Sequence, residues 1–464
     1  MSLSCQALIV GGGPGGYVAA IRAGQLGLDV ILVEEDRLGG TCLIRGCIPS
    51  KALIHVAGEF AHVKEKAGEG RLGISLASAP TLDLKESVRW KDGIVDKLNG
   101  GVAALLKRAK VRVLAGRAVF SDAKTCTVHT KAGLETIVAE NVILATGSLP
   151  VELPFLKFGA DVISSTEALS LPELPKRLAV VGAGYIGLEL GVAFRKMGAD
   201  VTIIEAEQRI LPLYDAELVA PVRKWLERHG VTLHLGARAK GAEKGALLIE
   251  TTAGKSERLP AEKILVTVGR RPNTDNWGLE HMGVDMAGRF VKVDAQCKTS
   301  MRGVYAIGDL VGEPMLEHKA ATQGEMVAEL IAGRARAFEP VAIAAVCFTE
   351  PEIMSAGLSP DEARAAGNDI VTGAFPFAAN GRALSMEAGA DGGFVRVVAR
   401  KSDHLLLGVQ AVGAHVSDLS GEAALALEMR VRLEDIAGTI HVHPTLSEAL
   451  HEAALRALGH AIHI

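Results

Sequence analysis

A glycine pattern that occurs twice constrains the fold of this chain more than any other feature. In the first copy, the apolar segment ALIV leads into Gly11, Gly13 and Gly16, which have the spacing G-x-G-x-x-G. A helical segment follows, and a second apolar strand, DVILVEE, ends at Glu34. This order predicts a βαβ unit in which a dinucleotide pyrophosphate meets a helix N-terminus and the acid binds a ribose hydroxyl.

The second copy lies in the segment LAVVGAGYIGLELGVAFRKMGADVTIIE, with Gly182, Gly184 and Gly187 as its glycines and Glu205 as its acid. One G-x-G-x-x-G alone is weak evidence, but two complete units predict two bound dinucleotides. A carboxylate at Glu205 favours the free ribose 2′-hydroxyl of NAD over the 2′-phosphate of NADP. Arg209 lies near enough in sequence to leave NADP open.

Length and composition indicate a soluble protein of several domains. The chain has 464 residues, which suggests about three domains, and 48% of its residues are hydrophobic against 22% charged. A net charge of −4 gives no basic surface for nucleic acid. We find no apolar run long enough to span a membrane and no room for a signal peptide before the first glycine loop, so we expect a cytoplasmic location.

Two cysteines lie close together in LGGTCLIRGCIPSK, where four residues separate Cys42 from Cys47. In a reducing compartment such a pair is more often redox-active than structural. Half of a zinc site is an alternative, but we find no second cysteine pair and no close His–Cys cluster, so we expect no metal. A pair with no special role is the third interpretation.

The spacing of the two cysteines predicts a break in the chain between them. On an ideal helix their Cα atoms would be about 8.7 Å apart, whereas a disulfide needs roughly 4.4–6.8 Å. Gly46 is the natural place for the distortion. A helix over residues 49–60, PSKALIHVAGEF, would then place Cys47 near a helix N-terminus, where the dipole favours a thiolate.

Together these segments resemble the flavoprotein disulfide reductases, and within that family the dihydrolipoamide dehydrogenases. The resemblance covers essentially the whole chain. It rests on both nucleotide folds and on the segments GGTCLIRGCIPSKALIH, NVILATGS, VGRRPN, VYAIGDL, EPMLEHKA and HVHPTLSEALHEAALRALGHAIHI. Glutathione-type reductases, which prefer NADPH and lack the H-P-T-L-S-E form, are the alternative enzymes. A docked flavoprotein without turnover is the alternative of another class.

The resemblance implies an α/β fold with two Rossmann-like dinucleotide-binding domains and a C-terminal α+β dimerisation domain. The expected limits are residues 1–148 for the FAD-binding domain, 149–270 for the NAD-binding domain, 271–340 for a central segment that completes the FAD site, and 341–464 for the interface domain. The alternating segments GFVRVVAR and LLLGVQAVG predict strands in the last of these.

The first fold is expected to hold FAD and the second NAD. The residues implied for FAD are Gly11, Gly13, Gly16, Glu34, Gly40, Thr41, Lys51, Gly116, Thr146, Gly147, Asp309, Met315, Leu316 and His318. The residues implied for NAD are Gly182, Gly184, Gly187, Glu189, Glu205 and Gly269. The resemblance also places Lys51 near the flavin, with Glu189 as its carboxylate partner.

An acid–base partner for the thiols is expected near the C-terminus. Fourteen histidines make any one of them a poor choice from sequence alone, and His441 has the same claim as His443. The family pattern H-P-T-x-S-E selects His443 as the base and Glu448 as the carboxylate that orients it. In the family this histidine reaches the disulfide of the other subunit, so the resemblance implies an obligate homodimer.

The implied reaction is the oxidation of protein-bound dihydrolipoamide with reduction of NAD⁺. By resemblance, Cys42 is the interchange cysteine that the substrate thiolate attacks, and Cys47 is the thiolate beside the flavin. The implied partner is the lipoyl-bearing acyltransferase subunit of a 2-oxo acid dehydrogenase complex, with no nucleic acid and no membrane. The sequence in the segments GEPMLEHKA and FPFAANGRA is most similar to that of family members that serve the bacterial branched-chain 2-oxo acid dehydrogenase complex.

The segment from Cys42 to Cys47, which we call the redox loop, departs from the family pattern. The family has an Asn followed by an apolar residue where this chain has Ile44 and Arg45. An amide that could brace the loop is lost, and a fixed positive charge appears between the thiols. We hypothesise that Arg45 favours the Cys47 thiolate; a side chain that points into solvent is the alternative.

Overall fold

The structure is a computed structural model that describes residues 2–69, 71–390 and 392–464. They form two folds with parallel sheets and a C-terminal antiparallel sheet covered by helices. The predicted α/β class, with two dinucleotide-binding folds and an α+β C-terminal part, is confirmed. In the described part of the chain, no helix combines the length and the apolar character that crossing a bilayer requires.

The first fold occupies the N-terminal third of the chain. Its elements are β1 (Leu3–Val10), α1 (Pro14–Gln25), β2 (Val30–Glu34), α2 (Cys47–Glu69), α3 (Leu84–Arg108), β3 (Arg112–Phe120), β4 (Thr125–Thr130), β5 (Gly133–Leu144) and β6 (Ser148–Pro150). Strands β3, β2, β1 and β5 lie parallel in that order, and β4 joins β3 to β5 in antiparallel pairs. Residues 7–10 of β1 are buried, as expected for a sheet covered on both faces.

The second fold repeats this βαβ arrangement. Its elements are β7 (Val162–Ile163), α4 (Ser165–Ala168), β8 (Arg177–Val181), α5 (Tyr185–Met197), β9 (Asp200–Glu205), α6 (Ala216–Arg228), β10 (Thr232–Leu235), β11 (Arg238–Glu243), β12 (Ala246–Glu250), β13 (Ser256–Pro260), β14 (Lys263–Val266) and β15 (Arg270–Pro272). The parallel sheet has the order β10-β9-β8-β14-β7, and β11 to β13 form an antiparallel sheet. Strand β15 pairs with β6, so the chain leaves and re-enters the first fold through one two-stranded ribbon.

The next segment returns to the first fold. It contains β16 (Met286–Ala287), β17 (Phe290–Val291), β18 (Val304–Ala306) and α7 (Glu317–Ile331). Strand β18 pairs with β5 in parallel and extends the first sheet, while α7 packs along α1. The segment that we assigned to residues 271–340 therefore lies against the first glycine loop; the four domain limits stay a prediction.

The C-terminal part is an antiparallel sheet with helices packed on it. Its elements are β19 (Ala345–Cys347), β20 (Glu352–Gly357), α8 (Pro360–Ala365), β21 (Ile370–Pro376), α9 (Gly381–Ser385), β22 (Phe394–Arg400), β23 (Leu406–Gly413), α10 (Ser420–Glu428), α11 (Leu433–Gly438) and α12 (Glu448–Ala457). The sheet order is β19-β20-β23-β22-β21, and α12 packs on β21 and β22. The two strands predicted from alternation are confirmed as β22 and β23.

Helix α2 lies at the junction of the two nucleotide folds. It packs against α5, and its residues Leu53 and Ala57 join the hydrophobic core of the second fold. Buried Cys347 from β19 belongs to the same core. The start of α2, where the redox loop ends, is therefore held where the three parts of the chain meet.

The third glycine of each nucleotide loop packs directly on the first. A Cβ atom on Gly16 would lie 1.8 Å from the Gly11 carbonyl oxygen, and one on Gly187 would lie 2.1 Å from the Gly182 carbonyl oxygen. The φ angles of Gly11 and Gly182 are 101° and 103°, a region that side chains disfavour. The same turn is therefore built twice.

We expect Gly187→Ala to destabilise the second fold. The added methyl overlaps a backbone oxygen, which costs about 1–3 kcal/mol, or several degrees of thermal stability. Gly191→Ala is the matched control in the same helix, since the nearest atom to its Cβ would be 3.6 Å away and alanine favours helix. Differential scanning fluorimetry measures both, and equal midpoints for the two variants would contradict this account of the turn.

Candidate active site

A cavity of about 280 Å³ lies where the first fold meets the second. Its wall combines the first glycine loop, the redox loop, the end of β5, the start of α5 and the segment before α7. Of the residues predicted from sequence, the wall contains Gly11, Gly13, Glu34, Gly40, Thr41, Cys42, Cys47, Lys51, Thr146, Gly147, Glu189, Asp309, Met315 and Leu316. Positions that are far apart in sequence therefore converge on one site.

Three residues predicted for FAD do not line this cavity. Gly16 packs beneath the glycine loop. Gly116 lies in β3, next to Ala115, which is the strand partner of Glu34. The Nε2 atom of His318 lies 2.9 Å from the backbone oxygen of Ala344, towards the C-terminal part. Their roles in FAD binding stay predictions.

The acid of the first fold is fixed against the glycine loop. Glu34 Oε2 accepts a 2.6 Å hydrogen bond from the Gly12 backbone N–H, and Oε1 accepts a 2.8 Å bond from that of Asp36. Burial raises the pKa of Glu34, although the Gly12 bond opposes this. The carboxylate is therefore held at the place where a dinucleotide ribose would approach the loop.

The second fold holds its acid in the same way. Glu205 Oε2 accepts a 2.7 Å hydrogen bond from Ala183 N–H, and Oε1 accepts a 2.9 Å bond from Glu207 N–H. Arg209, the residue that left NADP open, donates to the backbone oxygen of Pro212 at 2.5 Å. Its guanidinium is thus engaged away from Glu205, an arrangement that fits NAD.

Both glycine loops leave a helix N-terminus open to an anion. Helices α1 and α5 begin after Gly13 and Gly184, and neither has a side-chain N-cap. Their first N–H groups and the helix dipole are therefore available to a pyrophosphate. At the first loop, a Cβ on Gly40 would lie 2.5 Å from the Gly13 Cα, so glycine also keeps the approach to this terminus clear. Gly269, with φ of 116°, ends the second fold next to β15. These residues fit two dinucleotides.

A polar network centred on Arg270, which sequence analysis missed, lines the cavity. Arg270 donates from Nε to Ser148 Oγ at 2.7 Å and from Nη2 to the Ser148 carbonyl at 2.6 Å. Ser148 Oγ in turn donates to Asp309 at 2.5 Å. Burial lowers the pKa of Arg270, and burial raises that of the adjacent Tyr185 to about 12. The signal was the VGRRPN segment, in which only Gly269 was assigned a role.

The redox loop is broken at the predicted glycine. Residues Thr41–Arg45 form one turn of π-helix, Gly46 has φ −138° and ψ −111°, and α2 starts at Cys47. The predicted break is confirmed, but the helix runs over Cys47–Glu69 and the predicted 49–60 was too short. Pro49 is tolerated in the first helical turn because its missing N–H would have no intrahelical partner there.

The two cysteines are unpaired thiols that contact each other. The hydrogen bond that Cys42 donates lowers the pKa of Cys47; burial opposes this, and the Lys51 charge adds to it. The same hydrogen bond, followed by burial, raises the pKa of Cys42. In the described part of the chain, no group of three or more His, Cys, Asp or Glu side chains could hold a metal ion. The pair is therefore polarised, and Cys47 is the thiol that ionises more readily.

Lys51 and Glu189 form the expected ion pair. The Lys51 Nζ lies 2.8 Å from Glu189 Oε2 and 4.6 Å from the centre of the Phe348 ring. The other Glu189 oxygen accepts a 2.9 Å hydrogen bond from the Phe348 backbone N–H. Glu189 is only 3% exposed, so these contacts compensate a buried charge.

The structure does not support the hypothesis that Arg45 favours the Cys47 thiolate. Its guanidinium pairs with Asp36, and it is not among the groups that shift the pKa of Cys47. Nor does it simply point into solvent, since it lines the cavity. The cation that lowers the pKa of Cys47 is Lys51.

The structure separates the two histidines that sequence alone could not. His441 is 6% exposed, and both of its ring nitrogens are engaged, with Thr439 O at 3.0 Å and Glu422 Oε1 at 2.9 Å. His443 is 80% exposed, with Nδ1 2.9 Å from Glu448 Oε1. This bond places the N–H on Nδ1 and leaves Nε2 free to accept a proton.

Glu448 stays ionised while it orients His443. Burial raises the pKa of Glu448, but hydrogen bonds from Thr445 N–H at 2.8 Å and from His443 outweigh it, and the pKa lies below its usual range. The carboxylate is therefore charged at neutral pH and loses its hold on His443 only in acid.

Comparison with known proteins agrees with this geometry. The family described as pyridine nucleotide-disulphide oxidoreductase matches residues 5–324, and the dimerisation domain of that family matches residues 343–454. The chain belongs to the pyridine nucleotide-disulphide oxidoreductase family.

Relatives match this oxidoreductase over their full length. Dihydrolipoyl dehydrogenase from Pseudomonas aeruginosa is 58% identical, over 100% of this chain and 99% of the relative. Proteins of the same name from Halobacterium salinarum and Geobacillus stearothermophilus are 47% and 45% identical, over 100% of this chain and 98% of each relative. The solved structure of LpdA from Mycobacterium tuberculosis superposes with a TM-score of 0.88 at 27% identity, over 97% of this chain and 99% of that one. The family resemblance predicted from sequence is confirmed.

Titration of the redox thiols should show which of two nearby cations, Lys51 or Arg45, lowers the pKa of Cys47. Because the Lys51 charge lowers the pKa of Cys47, Lys51→Gln should raise that pKa, so the thiolate forms at higher pH. Arg45→Gln should leave the pKa unchanged, since Asp36 neutralises that charge. The pH dependence of iodoacetamide alkylation of each reduced cysteine, read by mass spectrometry, measures both. An equal upward shift in Arg45→Gln would restore the original hypothesis.

Proposed function

We propose that this chain oxidises protein-bound dihydrolipoamide to lipoamide and reduces NAD⁺, with FAD between them, as a dihydrolipoyl dehydrogenase. The observation that carries this is the place of the redox loop, in a cavity between two dinucleotide folds. Relatives that share the name dihydrolipoyl dehydrogenase over the whole chain support the same activity.

The first fold is proposed to hold FAD and the second NAD. When bound, FAD would supply the redox chemistry that links the enzyme dithiol to NAD⁺. Glu34 and Glu205 would each receive a ribose hydroxyl, and the open N-termini of α1 and α5 would each receive a pyrophosphate. Lys51, held by Glu189, would keep a positive charge beside the thiolate.

The thiol half-reaction uses His443 and both cysteines. The free Nε2 of His443 accepts a proton from a substrate thiol, and the thiolate attacks the sulfur of Cys42 in the oxidised Cys42–Cys47 disulfide. The electron pair of the broken S–S bond leaves on Cys47. The second substrate thiol then displaces Cys42 and passes it a proton, which closes the lipoamide disulfide. The first proton leaves from His443 to water.

The surface around His443 fits a second copy of the chain. Ile440 is 96% exposed, and Val442, Leu425 and Met429 are also exposed apolar side chains. They lie in or next to residues 343–454, which match the dimerisation domain. We infer that each His443 serves the redox loop of the partner subunit.

The proposed partner outside the dimer is the lipoyl-bearing acyltransferase of a 2-oxo acid dehydrogenase complex, in the cytoplasm. The choice of partner follows from the proposed substrate, because the dihydrolipoamide that the enzyme would oxidise is attached to that acyltransferase. Assignment to the branched-chain complex stays a prediction. Turnover with separately prepared lipoyl proteins of each complex would test it.

Replacing His443 should remove the proton acceptor and little else. We expect His443→Gln to lower kcat/KM for dihydrolipoamide by roughly 10²–10⁴-fold. Oxidation of NADH by ferricyanide, which bypasses the disulfide, should stay within about twofold. Glu448→Gln should lose part of the activity because the ring is held less well. His460→Gln, an exposed histidine near the same end of the chain, is the control; full activity in His443→Gln would exclude His443 as the base.

The proposed function is tested by an anaerobic absorbance titration of the purified protein. Dihydrolipoamide should produce a long-wavelength band from the thiolate beside the flavin, and NAD⁺ should then restore the oxidised spectrum. The expected preference is for NAD⁺ over NADP⁺. If dihydrolipoamide has no effect and NADPH bleaches the flavin, the substrate assignment is wrong and a glutathione-type reductase replaces it.

A further inference from the structure

The ion pair between Arg45 and Asp36 joins the redox loop to the acid loop, which we define as residues 35–40. Both side chains line the cavity. The Arg45 Nε is buried without a partner among the described residues, so the link to Asp36 is what holds this guanidinium. Arg45 also lies directly before Gly46, the point at which the redox loop is broken.

Asp36 is bound in turn to the first dinucleotide site. Its backbone N–H donates to one oxygen of Glu34 at 2.8 Å, and the other Glu34 oxygen accepts from Gly12 N–H at 2.6 Å. A continuous set of contacts therefore runs from the glycine loop through Glu34 and Asp36 to Arg45. Anything that displaces Glu34 acts on the residue that holds the redox loop.

A second ion pair connects the same acid loop to helix α3 and not to the redox loop. Arg37 Nη2 lies 2.6 Å from Asp96 of α3, and neither residue lines the cavity. The Asp36 and Arg37 pairs are alike in chemistry and adjacent in sequence. They differ in their partners, because Asp36 pairs with Arg45 of the redox loop whereas Arg37 pairs with Asp96 of α3.

We propose that the Asp36–Arg45 pair is a positioning latch that couples occupancy of the first dinucleotide site to the reactivity of the redox thiols. The proposal rests on the proposed function, which assigns FAD to this site. Ile44, at the position where the family has an amide, packs instead against the apolar core of the first fold. The ion pair supplies a polar link from the redox loop to the acid loop.

The latch should have a modest and salt-sensitive effect. Both side chains are partly exposed, and ion pairs of this kind are weak and screened by salt. We expect Arg45→Gln and Asp36→Asn each to speed FAD release and thiol alkylation by roughly 2- to 5-fold. In Arg45→Gln the pKa of Cys47 should not move, which separates positioning from a direct charge effect.

The experiment uses the holoenzyme with both single variants and the double variant. FAD release in mild urea is followed by flavin fluorescence. Alkylation of Cys42 and Cys47 is followed by mass spectrometry, after reduction and at a pH where Cys47 is ionised. A shared contact predicts that the double variant is no faster than the faster single variant. Arg37→Gln and Asp96→Asn should alkylate at the parent rate, and 1 M NaCl should bring the parent close to Arg45→Gln.

Two results would overturn the latch. One is parent-like release and alkylation in both single variants; the other is additive effects in the double variant. If these occur in a protein that oxidises dihydrolipoamide at the full rate, the proposed function stands and the latch alone falls. A parent protein that retains no FAD overturns both.

Discussion

The buried carboxylate of Glu189 is the point on which the three parts of this chain depend. It lies in α5 of the second fold, receives Lys51 from α2 of the first, and accepts the backbone N–H of Phe348 from the C-terminal part. Removing one partner of a fully buried pair costs roughly 3–5 kcal/mol. The cost is smaller here because Lys51 is 33% exposed. The carboxylate nevertheless favours the one arrangement that brings all three parts together.

The redox loop derives its geometry from this junction. Lys51 is one turn beyond Cys47 on α2, so the ion pair that fixes Lys51 also fixes the first turn of the helix and its thiol. The break at Gly46 then lets the chain double back, so that the Cys42 thiol reaches Cys47. A helix that continued smoothly through the redox loop would have kept the two sulfurs apart.

Features that sequence predicted well depend on short-range constraints. Each dinucleotide fold is defined by glycines and an acid within one βαβ unit, and the bonds that fix Glu34 and Glu205 stay within that unit. Gly46 could be located because ideal helix geometry excludes a disulfide at this spacing. In these cases the sequence contains all the interacting groups, and elementary geometry is enough.

Features that sequence missed depend on which side chain meets which across the fold. Residue type and spacing alone did not separate His441 from His443, which only the family pattern selected; in the structure, burial distinguishes the two rings. Arg45 lies between the cysteines in sequence, yet its partner belongs to another loop. The role of Arg270 requires Ser148, which is brought to it by the pairing of β6 with β15. Residue type and spacing do not contain this information.

The difference in pKa between Cys42 and Cys47 bears on which sulfur of their disulfide a substrate thiolate would attack. A disulfide opens most readily when the sulfur with the lower pKa is the one that leaves. One hydrogen bond lowers the pKa of Cys47 and raises that of Cys42, and the Lys51 charge strengthens the difference. On the proposed function, this difference favours attack at Cys42, with Cys47 as the leaving thiolate. On the proposed function, the electron pair of the opened disulfide then lies on the sulfur whose thiolate the Lys51 charge stabilises.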